Sequence, residues 1–176
     1  MPDRLSAVTI GRGVEKPRGL RRTMTGTVLL VNSFDGREMY AEYFRAHTLV
    51  VRDVARPEDA IPLLNRGGCD VVVTDMRFLE SQFDGAHFIR EARSRLDNTV
   101  SIIVVTGMVR CEDREEARTA GADRYLVTPA LPRAVLYEVK RALLLRRSGR
   151  RLEWNWRDET AASSALGADR RRPRAS

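Results

Sequence analysis

The chain has 176 residues, 43% of them hydrophobic, and a formal net charge of +7, which suits one core and one domain with extensions. The charge sits at the ends: residues 1–25 hold six Lys/Arg against two acids and residues 147–176 eight against four, while residues 26–146 hold seventeen against eighteen. A nearly neutral middle excludes a nucleic-acid-binding face built into the fold, Cys69 and Cys111 without CxxC or Cys/His spacing exclude a disulfide framework or zinc site, and no apolar run is long enough to cross a bilayer.

In chain order, residues 1–25 show no period and are expected to be a disordered basic extension. Met24 stands directly before the first strand and is a candidate translation start. Gly11-Arg12-Gly13 lacks the third glycine, the strand and the helix of a dinucleotide loop. No apolar stretch of a secretory signal follows the N-terminal charges. The cysteine usage points to a reducing compartment, so a cytoplasmic location is expected.

Thr27 to Val31 reads as a strand. Asn32 to Gly36 is turn chemistry. Arg37 to His47 follows as a helix, with Met39, Tyr40, Tyr43 and Phe44 on one stripe. Leu49 to Val51 is a short second strand. Pro57, Glu58 and Asp59 open a helix, which Pro62 should kink or shorten and Gly67-Gly68 should end. Asp70 to Thr74 is a third strand, β-branched and without alternation, as expected of a strand covered on both faces. It ends at Asp75. Ala86 to Arg95 is helical. Ser101 to Val105 is the fourth strand, closed by Thr106-Gly107. Glu112 to Ala120 is a polar helix stopped by Gly121. Tyr125 to Val127 is the fifth strand, and Pro132 opens the last helix, which Ser148-Gly149 ends.

Five strand–helix units predict a parallel sheet with right-handed crossovers. They are too few for an eight-stranded barrel. The expected architecture is α/β, an open three-layer α/β/α sandwich, with domain limits at 26–147. Open parallel sheets do their chemistry outside the carboxyl ends of the strands. Asn32-Ser33, Asp75, Thr106 and Thr128 all fall at such ends and should line one crevice. Alone, Asp75 reads equally well as a turn cap.

The set as a whole resembles the receiver domain of bacterial two-component response regulators over Thr27 to about Leu145. The carrying residues are Val28-Leu29-Leu30-Val31, the aspartate of Val71-Val72-Val73-Thr74-Asp75, Asp84-Gly85, Ile102-Ile103-Val104-Val105-Thr106-Gly107 and Ala120-Gly121-Ala122-Asp123-Arg124-Tyr125-Leu126-Val127-Thr128-Pro129. The resemblance implies a five-stranded parallel sheet of order 2-1-3-4-5. It implies that Asp75 is the phosphoacceptor, Thr106 the switch hydroxyl and Tyr125 the switch aromatic. It also implies a histidine kinase or another signalling protein as partner.

An anionic nucleophile attacking an anionic phosphoryl group needs cationic help. In the family an acidic pair after the first strand joins the central aspartate to hold Mg²⁺, and a lysine after the fifth strand pairs with the phosphoryl group. Here the acidic pair is Asn32-Ser33 and the lysine position is Thr128. The Mg²⁺ donors left are Asp75, Asn32, Ser33 and the Arg77 backbone carbonyl, a weak set for a hard cation. Asp35 stands near enough in sequence to contribute. Arg77 and Arg110 are candidate replacements for the lysine charge. Two functions therefore stay open: a phosphorylated receiver in a phosphorelay, and a degenerate receiver acting as an interaction module without phosphorylation. Enzyme chemistry on a small molecule is not expected, because the chain has no phosphate loop and fold alone does not give function.

His47, His87, Cys69 and Cys111 have structural or surface readings. Leu144 and Leu145 widen the apolar stripe of the last helix, which suits packing or a homodimer surface. Residues 148–176 carry Trp154, Trp156 and the cluster Arg170, Arg171, Arg172 and Arg174. They are expected to be a disordered basic tail, too short for a DNA-binding domain, so a stand-alone receiver is expected.

Overall fold

The computed structural model describes residues 25–33, 36–79 and 81–158. The expectations for residues 1–24, for Asp35 and for 159–176 with its arginine cluster lie outside the described residues. The strands are β1 (Thr27–Val31), β2 (Val50–Val54), β3 (Val71–Thr74), β4 (Ser101–Thr106), β5 (Arg124–Val127) and β6 (Asn155–Asp158). The helices are α1 (Gly36–Ala46), α2 (Pro57–Asn65), α3 (Gly85–Arg95), α4 (Cys111–Ala120) and α5 (Pro132–Arg147). The strands form one sheet in the order β2-β1-β3-β4-β5-β6, and every neighbouring pair is parallel.

The unalternating apolar runs are explained by two cores. Leu29, Val31, Val72, Ile102, Val104, Tyr125 and Val127 point to one face, where they meet Ala60 and Leu64 of α2, Phe88 and Ile89 of α3, and Ala117 of α4. Val28, Leu30, Val71, Val73, Ile103, Val105 and Leu126 point to the other, where Phe44 of α1 and Val135, Val139 and Leu143 of α5 cover them. Successive strand residues alternate between faces. Helices on both faces give the three layers that the βα alternation predicts. Pro62 shortens its helix rather than breaking it: α2 has nine residues, the fewest of the five described helices.

The sheet has one strand more than the expected five, and the polypeptide does not become a tail at residue 148. Gly149, with φ 69°, turns the chain out of α5, and residues 150–154 lead to β6, which pairs with the edge of β5. Leu152 is buried among the α5-side core residues, and its N–H donates to Ser101 Oγ at 3.0 Å. Arg151 pairs with Asp123 at 3.0 Å, and Asn155 N–H donates to Asp123 O at 3.3 Å. The buried Arg124 guanidinium pairs with buried Glu138 at 3.0 Å and donates to the Glu153 carbonyl. Arg114 of α4 lies over the Trp156 ring, 3.9 Å from its centroid, within the range of a cation–π contact. A buried guanidinium is costly unless its donors are used, so Arg124 ties this return segment to the body of the domain.

Among the described residues, no helix is long and apolar enough to cross a membrane. Cys69 and Cys111 are unpaired. Burial pushes the Cys69 thiol up to about 11, so it is not a thiolate nucleophile.

Candidate functional site

Asp75 follows β3 directly, and its N–H donates to Val31 O at 3.3 Å, continuing the pairing with β1. Asp75 is 4% exposed. Its Oδ1 accepts from the Met76 N–H at 2.6 Å and the Arg77 N–H at 3.2 Å. Burial raises its pKa above the ordinary carboxylate value, while Thr106, the two amides and the Arg77 charge oppose that shift. Two backbone donors on one oxygen hold the side chain at the strand end in a fixed pose.

The Asp84-Gly85 pair has a steric reason. Gly85 N–H donates to Met76 O at 3.0 Å, which brings the start of α3 against the end of β3. A Cβ on Gly85 would lie 2.3 Å from Met76 Cα and 2.7 Å from Asp75 O. Asp84 caps the helix, accepting from His87 N–H at 2.6 Å. The pair therefore fixes the loop that carries Asp75.

Thr106 ends β4 and is buried. Its Oγ1 accepts from the Met108 N–H at 3.3 Å. The Met108 carbonyl accepts from Tyr125 Oη at 2.9 Å. One residue of the β4–α4 loop is thus held at its N–H by Thr106 and at its carbonyl by Tyr125. Tyr125 is fully buried, and its hydroxyl pKa is raised, chiefly by burial.

Thr128 lies beside the crevice, with its N–H on Thr106 O at 2.8 Å. A cavity of about 370 Å³ runs from Asp75 past Asn32, Gly107 and Thr128 to Met39 and Tyr40. The side chains lining this cavity beside Asp75 are uncharged, and the Arg37 guanidinium donates to the backbone carbonyl of Asn32. A second cavity, of about 130 Å³, opens on the other side of Asp75 and is lined by Arg77, Thr106, Gly107 and Met108. The structure therefore brings Arg77 into the same cavity as Asp75. Arg110 is not there: its guanidinium is 3.1 Å from Asp113 in the first turn of α4.

The Mg²⁺ donors implied by the sequence are poorly assembled. Asn32 is buried and Ser33 half-buried. The backbone carbonyl of Asn32 accepts from Arg37 Nη1 at 3.2 Å, and Ser33 Oγ accepts from Leu79 N–H at 3.3 Å. Among the described residues, no group of three or more His, Cys, Asp or Glu side chains could hold a metal. Among the described residues Asp75 is the one carboxylate lining the two cavities, a poor donor set for a hard divalent ion.

Asp123 was legible as part of a motif but not as an anchor. It accepts from Ile102 N–H at 2.8 Å and from Arg93 at 2.7 Å, and it braces β4 and β5 at the end of the sheet away from Asp75.

The family model for the response regulator receiver domain matches residues 28–140. No curated protein matches the chain. Among solved structures, a receiver domain protein from Methanospirillum hungatei is 19% identical at TM-score 0.65, covering 71% of this chain and 98% of that one. A putative response regulator from Chloroflexus aurantiacus is 26% identical at TM-score 0.60, covering 68% and 98%. The chemotaxis protein CheY4 of Vibrio cholerae is 23% identical at TM-score 0.61, covering 67% and 98%.

Proposed function

Because this chain belongs to the response regulator receiver domain family, we propose that Asp75 accepts a phosphoryl group from a histidine kinase and that the domain relays this state to a signalling partner in the cytoplasm. The observation that carries the reading is the line from Asp75 through Thr106 and Met108 to Tyr125. A phosphoryl group on Asp75 adds anionic oxygens beside the Thr106 hydroxyl. Drawing that hydroxyl toward them takes the acceptor away from Met108 N–H. The loop that Tyr125 also holds is then free to shift. The receiver is a signalling module in this reading, not an enzyme acting on a small molecule.

The test is intact-mass or phosphate-affinity gel analysis after incubation with acetyl phosphate and Mg²⁺, or with a cognate kinase. A one-phosphoryl adduct that is lost in Asp75→Ala supports the acceptor role. No adduct under any of these conditions favours the degenerate receiver, an interaction module without phosphorylation. The reading includes a homodimer through α5, where Tyr137 and Leu144 remain exposed, whereas Leu145 packs against the core. Sedimentation of a monomer at all concentrations removes that part.

A further inference from the structure

We propose that the Arg77 guanidinium, rather than a divalent cation, supplies the positive charge that a phosphoryl group on Asp75 requires. This rests on Asp75 being the acceptor.

The charges around Asp75 are distributed unlike a metal site. On the side of Asn32 and Thr128 the lining is uncharged. On the other side, Asp75 and Arg77 share the cavity of about 130 Å³ with Thr106, Gly107 and Met108. At about 30 Å³ per water-sized group, that space suits the four heavy atoms of one phosphoryl group. Arg77 is exposed, and its guanidinium makes no ion pair or hydrogen bond among the described residues. Arg77 lines this cavity together with Asp75, and its positive charge lowers the pKa of both Asp75 and Asp113. A guanidinium offers five N–H donors in a planar fork that matches phosphoryl oxygens two at a time. On the side of Asn32 and Thr128, by contrast, the backbone carbonyl of Asn32 accepts from the Arg37 guanidinium at 3.2 Å, so a divalent ion beside Asn32 would face a cation.

The step balances without a metal or a proton. With acetyl phosphate as donor, a carboxylate oxygen of Asp75 attacks phosphorus and forms the new O–P bond. The bond from phosphorus to the acetate oxygen breaks, and acetate leaves with that electron pair. One carboxylate and one acyl phosphate become one acyl phosphate and one carboxylate. The transferring group passes through a transition state with its charge spread over three equatorial oxygens, where a fixed guanidinium is most effective.

The experiment measures the rate of adduct formation by intact mass in the full chain, with acetyl phosphate in Mg²⁺ and separately in EDTA. The variants are Arg77→Ala, Arg77→Lys and Asp75→Asn. We expect equal rates for the wild type in Mg²⁺ and EDTA, no adduct in Asp75→Asn, a loss of about 100-fold in Arg77→Ala and partial recovery in Arg77→Lys. Arg77 is exposed, and circular dichroism checks that each variant folds. An adduct that requires Mg²⁺, or one whose rate in EDTA is unchanged by Arg77→Ala, overturns the role of Arg77 and leaves the acceptor reading standing. No adduct in either buffer overturns both.

Discussion

Leu152→Ala tests whether the return segment is part of the folded domain. Leu152 is 1% exposed, so the substitution removes three buried carbons at about 0.8 kcal/mol each, or about 2.5 kcal/mol of transfer free energy. A residual cavity adds to this. Because Leu152 sits on a segment that can shift toward the gap, the total should fall near the low end of the Leu→Ala range, at about 3 kcal/mol. For a domain of this size each kcal/mol moves Tm by about 4 °C, so a fall of about 12 °C is expected. The assay is urea unfolding followed by far-ultraviolet circular dichroism and by tryptophan fluorescence. The chain has two tryptophans, Trp154 and Trp156, both on the return segment. Coincident transitions in the wild type, both displaced in the variant, are the expected result. Leu144→Ala, at an exposed position of α5, is the control and should stay within about 0.5 kcal/mol. A Leu152→Ala loss below about 1 kcal/mol, or fluorescence that melts well before the circular dichroism, refutes the reasoning.

Gly85→Ala places a Cβ 2.3 Å from Met76 Cα; overpacking against backbone should cost about 1–3 kcal/mol, read in thermal melts, and wild-type stability would show that the loop yields freely. Glu138→Ala leaves the buried Arg124 without its carboxylate, and about 3 kcal/mol should be lost in urea unfolding; a neutral result would mean that the Asp123 and Glu153 carbonyls suffice. The raised pKa of Asp75, caused first by burial, means that its contribution to stability is fully present below the ordinary value of 3.8 and is lost as pH rises through the folded value. Asp75→Asn should therefore be more stable than wild type at about pH 7, with the difference closing at about pH 3; a gain independent of pH contradicts the burial argument. Asp97 is the opposite case. Thr99 hydrogen bonds hold its carboxyl at about 2, so Asp97→Asn should lose stability at neutral pH and match the wild type only once acid has protonated Asp97, as thermal melts across that range would record.

Where the sequence was readable, buried apolar runs made it so. Thr27–Val31 is a strand with the expected bounds, and Val28 to Val31 are buried as a strand covered on both faces requires. The strand-end residues came together because a parallel sheet aligns its carboxyl ends, whatever the side chains are. Two elements were hidden by charge. β2 runs through Arg52 and Asp53 to Val54, past the expected end at Val51, because an edge strand tolerates charged residues; Asp53 is held there by Arg45 and, at 3.7 Å, by Arg37. β6 was hidden by its four-residue length and its arginine-rich surroundings. The signal available was Leu152, Trp154 and Trp156 alternating with polar residues, the period of a strand. At the site, the placement of Asp75, Thr106 and Thr128 at strand ends was legible from the order of the elements, whereas Tyr125 was singled out only through the family resemblance. That Arg77 lines the cavity and Arg110 does not was beyond sequence reasoning, because it depends on Asp113 capturing the Arg110 guanidinium.

The sixth strand changes what the molecule shows to its surroundings. Without it the sheet would end at Arg124-Tyr125-Leu126-Val127, an edge of buried residues with a row of unmet backbone groups, the kind of template that recruits a strand from another chain. Asn155–Asp158 occupy that row with the chain's own backbone, and the new border reads Asn-Trp-Arg-Asp. A shortened chain ending near Gly149 would thus differ in colloidal behaviour as well as in stability, exposing a sticky border that the intact polypeptide keeps to itself. A partner that uses the edge of β5 must first displace the segment in which Leu152 and the tryptophans lie, so recognition at that border carries a built-in threshold.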